Sequence, residues 1–376
     1  MLIPFNQLSE QQKTVIKNIA REEKGNIFVE GPPGSGKTLI SLYTLKDIIS
    51  ETNIKPLLLM YNHSLYGYLK VAINDIGIAD NITIATKDKY FWDLARVFNI
   101  NIPESLKVYD DKYTYLLKML NQADLTATFD VALIDEVQDL NQLEWAIIKK
   151  ISKRIISLGD FDQGIYETGL NYEMVKSNGV YARLSAIFRF HKNIAKLAQI
   201  FSRKKEKLED KVTKDSKTQP LVYDVKSSEE FDKIIEIIKG VQQNRKTIGI
   251  ISPDRNKLAE LSNHLNSKNI PQFYFTDNKT LRTHNFNDIT PLLLTSFSAK
   301  GLEFENVILF GFDKDSSMID KLQREKRLND VIYVSITRTN TNLFIVRTPK
   351  TIKEINDIVV ESSNAFVNEP SIDDLF

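Results

Sequence analysis

The sequence predicts an α/β protein of two successive domains, each built on a parallel sheet. Short apolar runs alternate with longer stretches of helical periodicity, the pattern of strands joined by crossover helices. That alternation stops at a polar, charge-dense segment, Ser202 to Gln219, and then restarts. With 376 residues, 42% of them apolar, the chain can also bury two full cores.

In the first half the strand-like runs are Ile27 to Val29, Leu57 to Met60, Ile82 to Ala85, Val131 to Ile134 and Ile155 to Leu158. In the second they are Leu221 to Tyr223, Ile248 to Ile251, Phe273 to Phe275, Leu292 to Thr295, Val307 to Phe310 and Leu343 to Val346. Ser202 to Gln219 is lysine-rich and reads as a solvated connector, with a nucleic-acid arm as the alternative. These signals divide the chain into a first domain over residues 1–184, with a small insertion at about 86–128, a second over 185–350, and a tail over 351–376.

The first run leads into Gly31-Pro32-Pro33-Gly34-Ser35-Gly36-Lys37-Thr38, which fits G-x-x-x-x-G-K-[ST] in a strand–loop–helix context. Glycines let the backbone form a nest of N–H groups around phosphates at a helix N-terminus. Lys37 then reaches the outer phosphates and Thr38 ligates Mg²⁺. The run ending at Ile134 delivers Asp135 and Glu136 to the carboxyl edge of its sheet, where ligands bind. A lone Asp-Glu pair there is ordinarily a solvated strand end. Behind a phosphate loop it becomes a site in which Asp135 holds Mg²⁺ and Glu136 polarises the attacking water, because γ-phosphate hydrolysis needs a metal clamp and a positioned nucleophile. ATP and Mg²⁺ are therefore the expected cofactors.

Composition bounds the rest. Lys plus Arg number 50 against 49 acids, so any nucleic-acid surface must be local. There is no cysteine for disulfides or thiolate metal sites, and the 4 histidines do not sit at metal-ligand spacing. No apolar run has membrane-span length, and the opening MLIPFNQLSE lacks the features of a signal peptide, so the expectation is a cytoplasmic protein without a membrane partner.

Further motifs occur in a fixed order: LSEQQ at 8–12, DEVQD at 135–139, GDFDQGIY at 159–166, IFR at 187–189, TSFSAKGLEF at 295–304 and YVSITR at 333–338. Together they resemble superfamily 1 helicases, closest to the UvrD/Rep branch. The resemblance implies two RecA-like domains in tandem with ATP in the cleft between them, and 3′ to 5′ movement on single-stranded DNA. It assigns Gln12 to the adenine edge, Gln163 to sensing the γ-phosphate, Phe188 to stacking on adenine, Arg189 and Arg338 to contacting the γ-phosphate, and Glu303 to the ribose. It places Tyr61, Asn62, Thr86 and Tyr166 near the nucleic acid.

The chain departs from the family pattern at Leu39, Asp88, Phe188, Phe297 and Asn329-Asp330. It also lacks room between Arg189 and Thr295 for the large accessory domain of longer relatives, so it resembles a minimal motor. That architecture suggests a protein partner, such as a nuclease or another effector. Two alternatives remain: a nucleic-acid-gated ATPase switch in a nuclease or phage-defence complex, and an RNA-directed motor, since phosphate contacts and base stacking tolerate either sugar.

Overall fold

The computed structural model describes residues 3–21, 25–51, 54–61, 63–165, 170–203, 207–215, 218–275, 284–285 and 288–358. The chain divides into two compact units, Met1–Ser185 and Ala186–Phe376. Each carries a six-stranded, all-parallel sheet of the RecA-like type.

The first sheet comprises β1 (Ile27–Glu30), β2 (Pro56–Met60), β3 (Thr83–Thr86), β4 (Val131–Ile134), β5 (Ile155–Gly159) and β6 (Val180–Arg183), in the order β3-β2-β4-β5-β1-β6. Its central strands are continuous apolar runs because both faces are covered. Alternate residues serve opposite cores. Ile27, Val29, Leu58, Leu133 and Ile156 pack with Ile16 and Ile19 of α1 (Glu10–Arg21), Ile40 and Leu45 of α2 (Lys37–Glu51) and Leu69 of α3 (His63–Asp75). Phe28, Leu57, Leu59, Ala132 and Ile134 pack instead with Phe91 of α4 (Lys87–Val97), Leu116 of α5 (Tyr109–Gln122) and Ile147 of α6 (Gln142–Ile151). Short α7 (Tyr172–Lys176) precedes β6. The sequence reading missed β6 for a physical reason: it is an edge strand whose residues are all at least partly exposed, so it shows no apolar run.

The second unit opens with a parallel pair, β7 (Ile187–His191) and β8 (Val212–Lys214), separated by α8 (Lys192–Gln199). β8 lies inside the segment expected to be a solvated connector. Thr213 Oγ1 donates to Ile187 O at 3.0 Å and Lys214 Nζ to Arg189 O at 2.9 Å, so part of that charged stretch is structural. The main sheet contains β9 (Leu221–Asp224), β10 (Ile248–Ser252), β11 (Phe273–Tyr274), β12 (Leu292–Thr295), β13 (Phe304–Leu309) and β14 (Thr339–Arg347), in the order β11-β12-β10-β13-β14-β9. Helices α9 (Glu230–Gln242) and α10 (Arg255–Ser267) bury Ile234, Ile238, Leu258 and Leu261 against Ile250, Ile308 and Phe344. Next come α11 (Ser317–Arg324), α12 (Leu328–Ile336) and α13 (Lys353–Asn356). Ile352, Ile355 and Ile358 are buried, so packing continues to the last described residue. Among the described residues no helix is long and apolar enough to cross a membrane.

Candidate functional site

In the first unit, β1 ends at Glu30 and α2 begins at Lys37, leaving Gly31 to Gly36 as the connecting loop. Gly34 and Gly36 have φ values of 74° and 85°, the left-handed region in which a Cβ is strained. At Gly36 a Cβ would also lie 2.5 Å from Nε2 of Gln12, so α1 and the loop close on each other only with glycine there. Lys37 is buried and bends back across the loop, donating to Gly31 O at 2.8 Å and Pro32 O at 3.3 Å. Pro32 and Pro33 are buried too. The first N–H groups of α2 have no helical acceptor and carry the positive end of the helix dipole, a combination suited to phosphate. The hydroxyl of buried Ser35 has no hydrogen-bond partner among the described residues, which suits an anion able to accept from it.

Asp135 follows β4 directly, and its Oδ2 accepts from Thr38 Oγ1 at 2.7 Å across ninety-seven positions of sequence. Burial first, and then the neighbouring charge of Glu136, push the Asp135 carboxyl up to about 6, against the opposing pull of Thr38 and Lys37. A divalent cation would relieve that cost. Among the described residues no three His, Cys, Asp or Glu are grouped for a metal. Thr38 and Asp135 would therefore hold Mg²⁺ together with phosphate oxygens, the coordination that Mg²⁺ commonly takes in nucleotide sites. The loop, the ammonium, the hydroxyl and the carboxylate all fit a magnesium–triphosphate. Glu136 is held in the left-handed conformation, φ 58° and ψ 50°. Gln163 is buried beyond β5 and donates to Asp160 Oδ2 at 3.2 Å.

Gln12 sits beneath this loop. Its Nε2 donates to Ser35 O at 2.9 Å, and its Oε1 accepts from Ser9 N at 2.9 Å. A carboxamide offers two N–H groups and two lone pairs, so one of each remains for an adenine edge while one N–H braces the loop and one lone pair holds the start of α1.

In the second unit, Arg189 on β7 donates through Nε to Glu303 Oε2 at 2.9 Å and through Nη1 to Thr337 O at 3.2 Å. Glu303 and Arg338 stand immediately before β13 and β14, which pair in the register Phe304 to Thr339. Buried Arg338 donates to Val334 O at 2.9 Å, Leu302 O at 3.3 Å and Thr337 Oγ1 at 3.1 Å. Arg189, Glu303 and Arg338 are thus brought together around the end of α12. Phe188, next to Arg189 in sequence, is half-buried.

A family model described as "AAA domain" matches residues 7–217, more than half of the chain. The chain belongs to the AAA domain family. No curated protein matches it. Similar solved structures include the PRRSV helicase, at 15% identity and a TM-score of 0.41, covering 89% of this chain and 54% of that one. They also include the arterivirus nonstructural protein 10 helicase, at 14% identity and a TM-score of 0.46, covering 89% and 62%. The C-terminal domain of a possible DNA helicase from Lactobacillus plantarum WCFS1 follows at 17% identity and a TM-score of 0.35, covering 45% and 92%. This chain therefore spans little more than half the length of the two viral helicases.

Two further candidate positions of this AAA domain protein, Tyr61 and Thr86, lie along the same sheet edge. Tyr61 follows β2 and is half-buried, with the Lys87 ammonium 4.7 Å from its ring centre. Thr86 ends β3, and its hydroxyl is buried without a hydrogen-bond partner among the described residues, so it does not present a surface contact in this structure. Asn62 and Tyr166 lie outside the described residues. Sequence reasoning missed the group around Lys87, whose ammonium lies 2.7 Å from Glu144 and 2.7 Å from Asp88. Tyr113 donates to the same Glu144 carboxylate at 2.8 Å. Burial works to lower the Lys87 pKa, but the two carboxylates outweigh it and raise it. Only the lysine at the end of a strand hinted at this cluster. Its partners come from α4, α5 and α6 and share no motif.

Proposed function

We propose that this protein is an ATP-driven DNA helicase or translocase of superfamily 1, of the UvrD/Rep type, that moves 3′ to 5′ along single-stranded DNA. The observation that carries the reading is the 2.7 Å contact between Thr38 and Asp135, made beside Lys37 on a phosphate loop of the matching family. The ordered motifs through Arg338 support the helicase assignment. Lys37 and the N–H groups of the loop would bind the phosphates; Thr38 and Asp135 would hold Mg²⁺, which supplies charge neutralisation on the β- and γ-phosphate oxygens. Glu136 would take a proton from the attacking water, and Gln163 would report the state of the terminal phosphate. Arg189 and Arg338 would meet the charge that develops as the phosphoryl group departs. Residues 1–184 and 185–350 would act as the two motor domains, with hydrolysis coupled to their closure.

The test is steady-state ATP hydrolysis by the wild type and by Glu136→Gln with no polymer, with single-stranded DNA and with single-stranded RNA. Stimulation by DNA that disappears in the variant supports the motor. Stimulation by RNA alone changes the substrate, and hydrolysis indifferent to both polymers points to a switch acting through a protein partner such as a nuclease.

A further inference from the structure

Gln138, the fourth residue of DEVQD, is buried at 2% exposure in a hydrogen-bonded chain that the assignments above do not use. Its Oε1 accepts from the backbone N–H of Asp160 at 3.1 Å. Its Nε2 donates to Glu136 Oε2. Chemistry fixes which way the amide faces, because a backbone N–H can only donate and an ionised carboxylate can only accept. The chain continues on the far side: Gln163 Nε2 donates to the Asp160 carboxylate at 3.2 Å. It also reaches the phosphate loop, since Gly31 N donates to Gly159 O at 3.2 Å.

Two local features mark the arrangement as built. Glu136 keeps a left-handed backbone, φ 58°, which a residue with a Cβ rarely adopts and which persists only where the surroundings hold it. Gly159 leaves the space Gln138 occupies. A Cβ at 159 would lie 2.5 Å from Gln138 Oε1 and 2.8 Å from Val137 Cγ1.

We infer that Gln138 is a positioning residue that aims the Glu136 carboxylate and ties its alignment to the Gly159–Gln163 segment. This rests on the ATPase reading above. A shift of Asp160 or Gln163 moves the N–H that Gln138 grips, and the other end of the same amide then re-aims Glu136. Phosphate sensing at Gln163 thereby reaches the candidate base through the Asp160 carboxylate, the Asp160 backbone N–H and the Gln138 amide.

The experiment compares wild type, Gln138→Leu, Gln138→Glu and Gly159→Ala in nucleic-acid-stimulated ATP hydrolysis. Fluorescent-ATP binding and thermal unfolding are measured on each. Gln138→Leu keeps the bulk and removes both bonds. Its expected effect is a kcat about 10- to 100-fold lower, as for loss of an orienting partner, with nucleotide affinity within about threefold of wild type. Gln138→Glu keeps an acceptor for Asp160 but sets a second carboxylate against Glu136. The two like charges repel, so kcat should fall at least as far as in Gln138→Leu, again with nucleotide affinity within about threefold of wild type. A purely structural role would lower nucleotide affinity and the unfolding temperature along with kcat. Gly159→Ala, which displaces Gln138 without altering it, should lower kcat in the same direction.

Wild-type kcat in Gln138→Leu overturns the inference, as does wild-type kcat in Gln138→Glu or a loss of kcat matched by an equal loss of nucleotide binding. A wild type that binds ATP but does not hydrolyse it with any strand removes the motor reading, and this inference with it.

Discussion

In the first unit the groups around the phosphate loop follow their strands; in the second, Glu303 and Arg338 precede theirs. Gly31, Asp135 and Asp160 come directly after β1, β4 and β5, whereas Glu303 and Arg338 come directly before β13 and β14. The two sheets share an all-parallel build, so the difference lies in which helix ends are offered. Beyond the carboxyl ends of the first sheet's strands, α2 presents unpaired N–H groups and a positive dipole end, which select anions. At the amino ends of the second sheet's strands, α12 terminates in carbonyls, and these hold cations: Val334 O accepts from Arg338 and Thr337 O from Arg189. One architecture thus yields a phosphate-binding edge and an arginine-holding edge, according to the direction in which the helices enter and leave.

The sharpest way to break this comparison is to remove the cation side. Arg189→Ala should lower kcat for ATP hydrolysis by about 10³-fold or more if Arg189 meets the developing charge, while nucleotide affinity changes by less than about tenfold. Unchanged turnover would confine the chemistry to the first unit.

On the anion side, the raised pKa of Asp135 sets a pH dependence. Its carboxyl is protonated below about 6 and must ionise to ligate Mg²⁺, so affinity for magnesium–nucleotide should rise as pH increases through about 6 and level off above it. Below that point the slope should approach about tenfold per pH unit, and Asp135→Asn should abolish it. Titration of a fluorescent nucleotide with Mg²⁺ from pH 5 to pH 8 reads this directly. For the apoprotein the sign reverses: the same raised pKa contributes stability below the carboxyl's unfolded value, and that contribution is lost as pH rises through about 6.

Gly36→Ala tests the loop itself. Combining a φ of 85° with a 2.5 Å approach to Gln12, it should cost about 1–3 kcal/mol of stability, read as a lower denaturation midpoint, with phosphate binding weakened in parallel. The smallest effect is expected from Glu303→Gln. Its side chain is 55% exposed, so losing the ion pair with Arg189 should cost no more than about 1 kcal/mol, whereas the Arg189 substitution removes a group that also grips Thr337 O. A larger loss from Glu303→Gln would show that the pair organises the whole arginine edge.

Much of the phosphate edge was legible beforehand because it is local. Gly31 to Thr38 needs only the order of its own residues to specify a strand, a turn and a helix start, and Asp135 is delivered by a continuous apolar run. The central strands were readable for the same reason, since burial on both faces writes them as unbroken hydrophobic segments. β6 and β8 were not, because partly exposed edge strands carry no such signature. Nor were the partners of Lys87, which come from three helices whose register against one another is set by packing.

By itself, then, the sequence determined the two parallel sheets, the loop that wraps phosphate and the acids placed after it, because these follow from hydrophobic periodicity and glycine chemistry over short distances. Tertiary structure alone decided that Gln12 braces the loop, that Gln138 spans Glu136 and Asp160, and that Glu303 pairs with Arg189. Apart from the short reach of Gln138 to Glu136, each of those contacts joins segments distant in sequence, and a hydrogen bond of about 3 Å leaves no trace in a chain read one residue at a time.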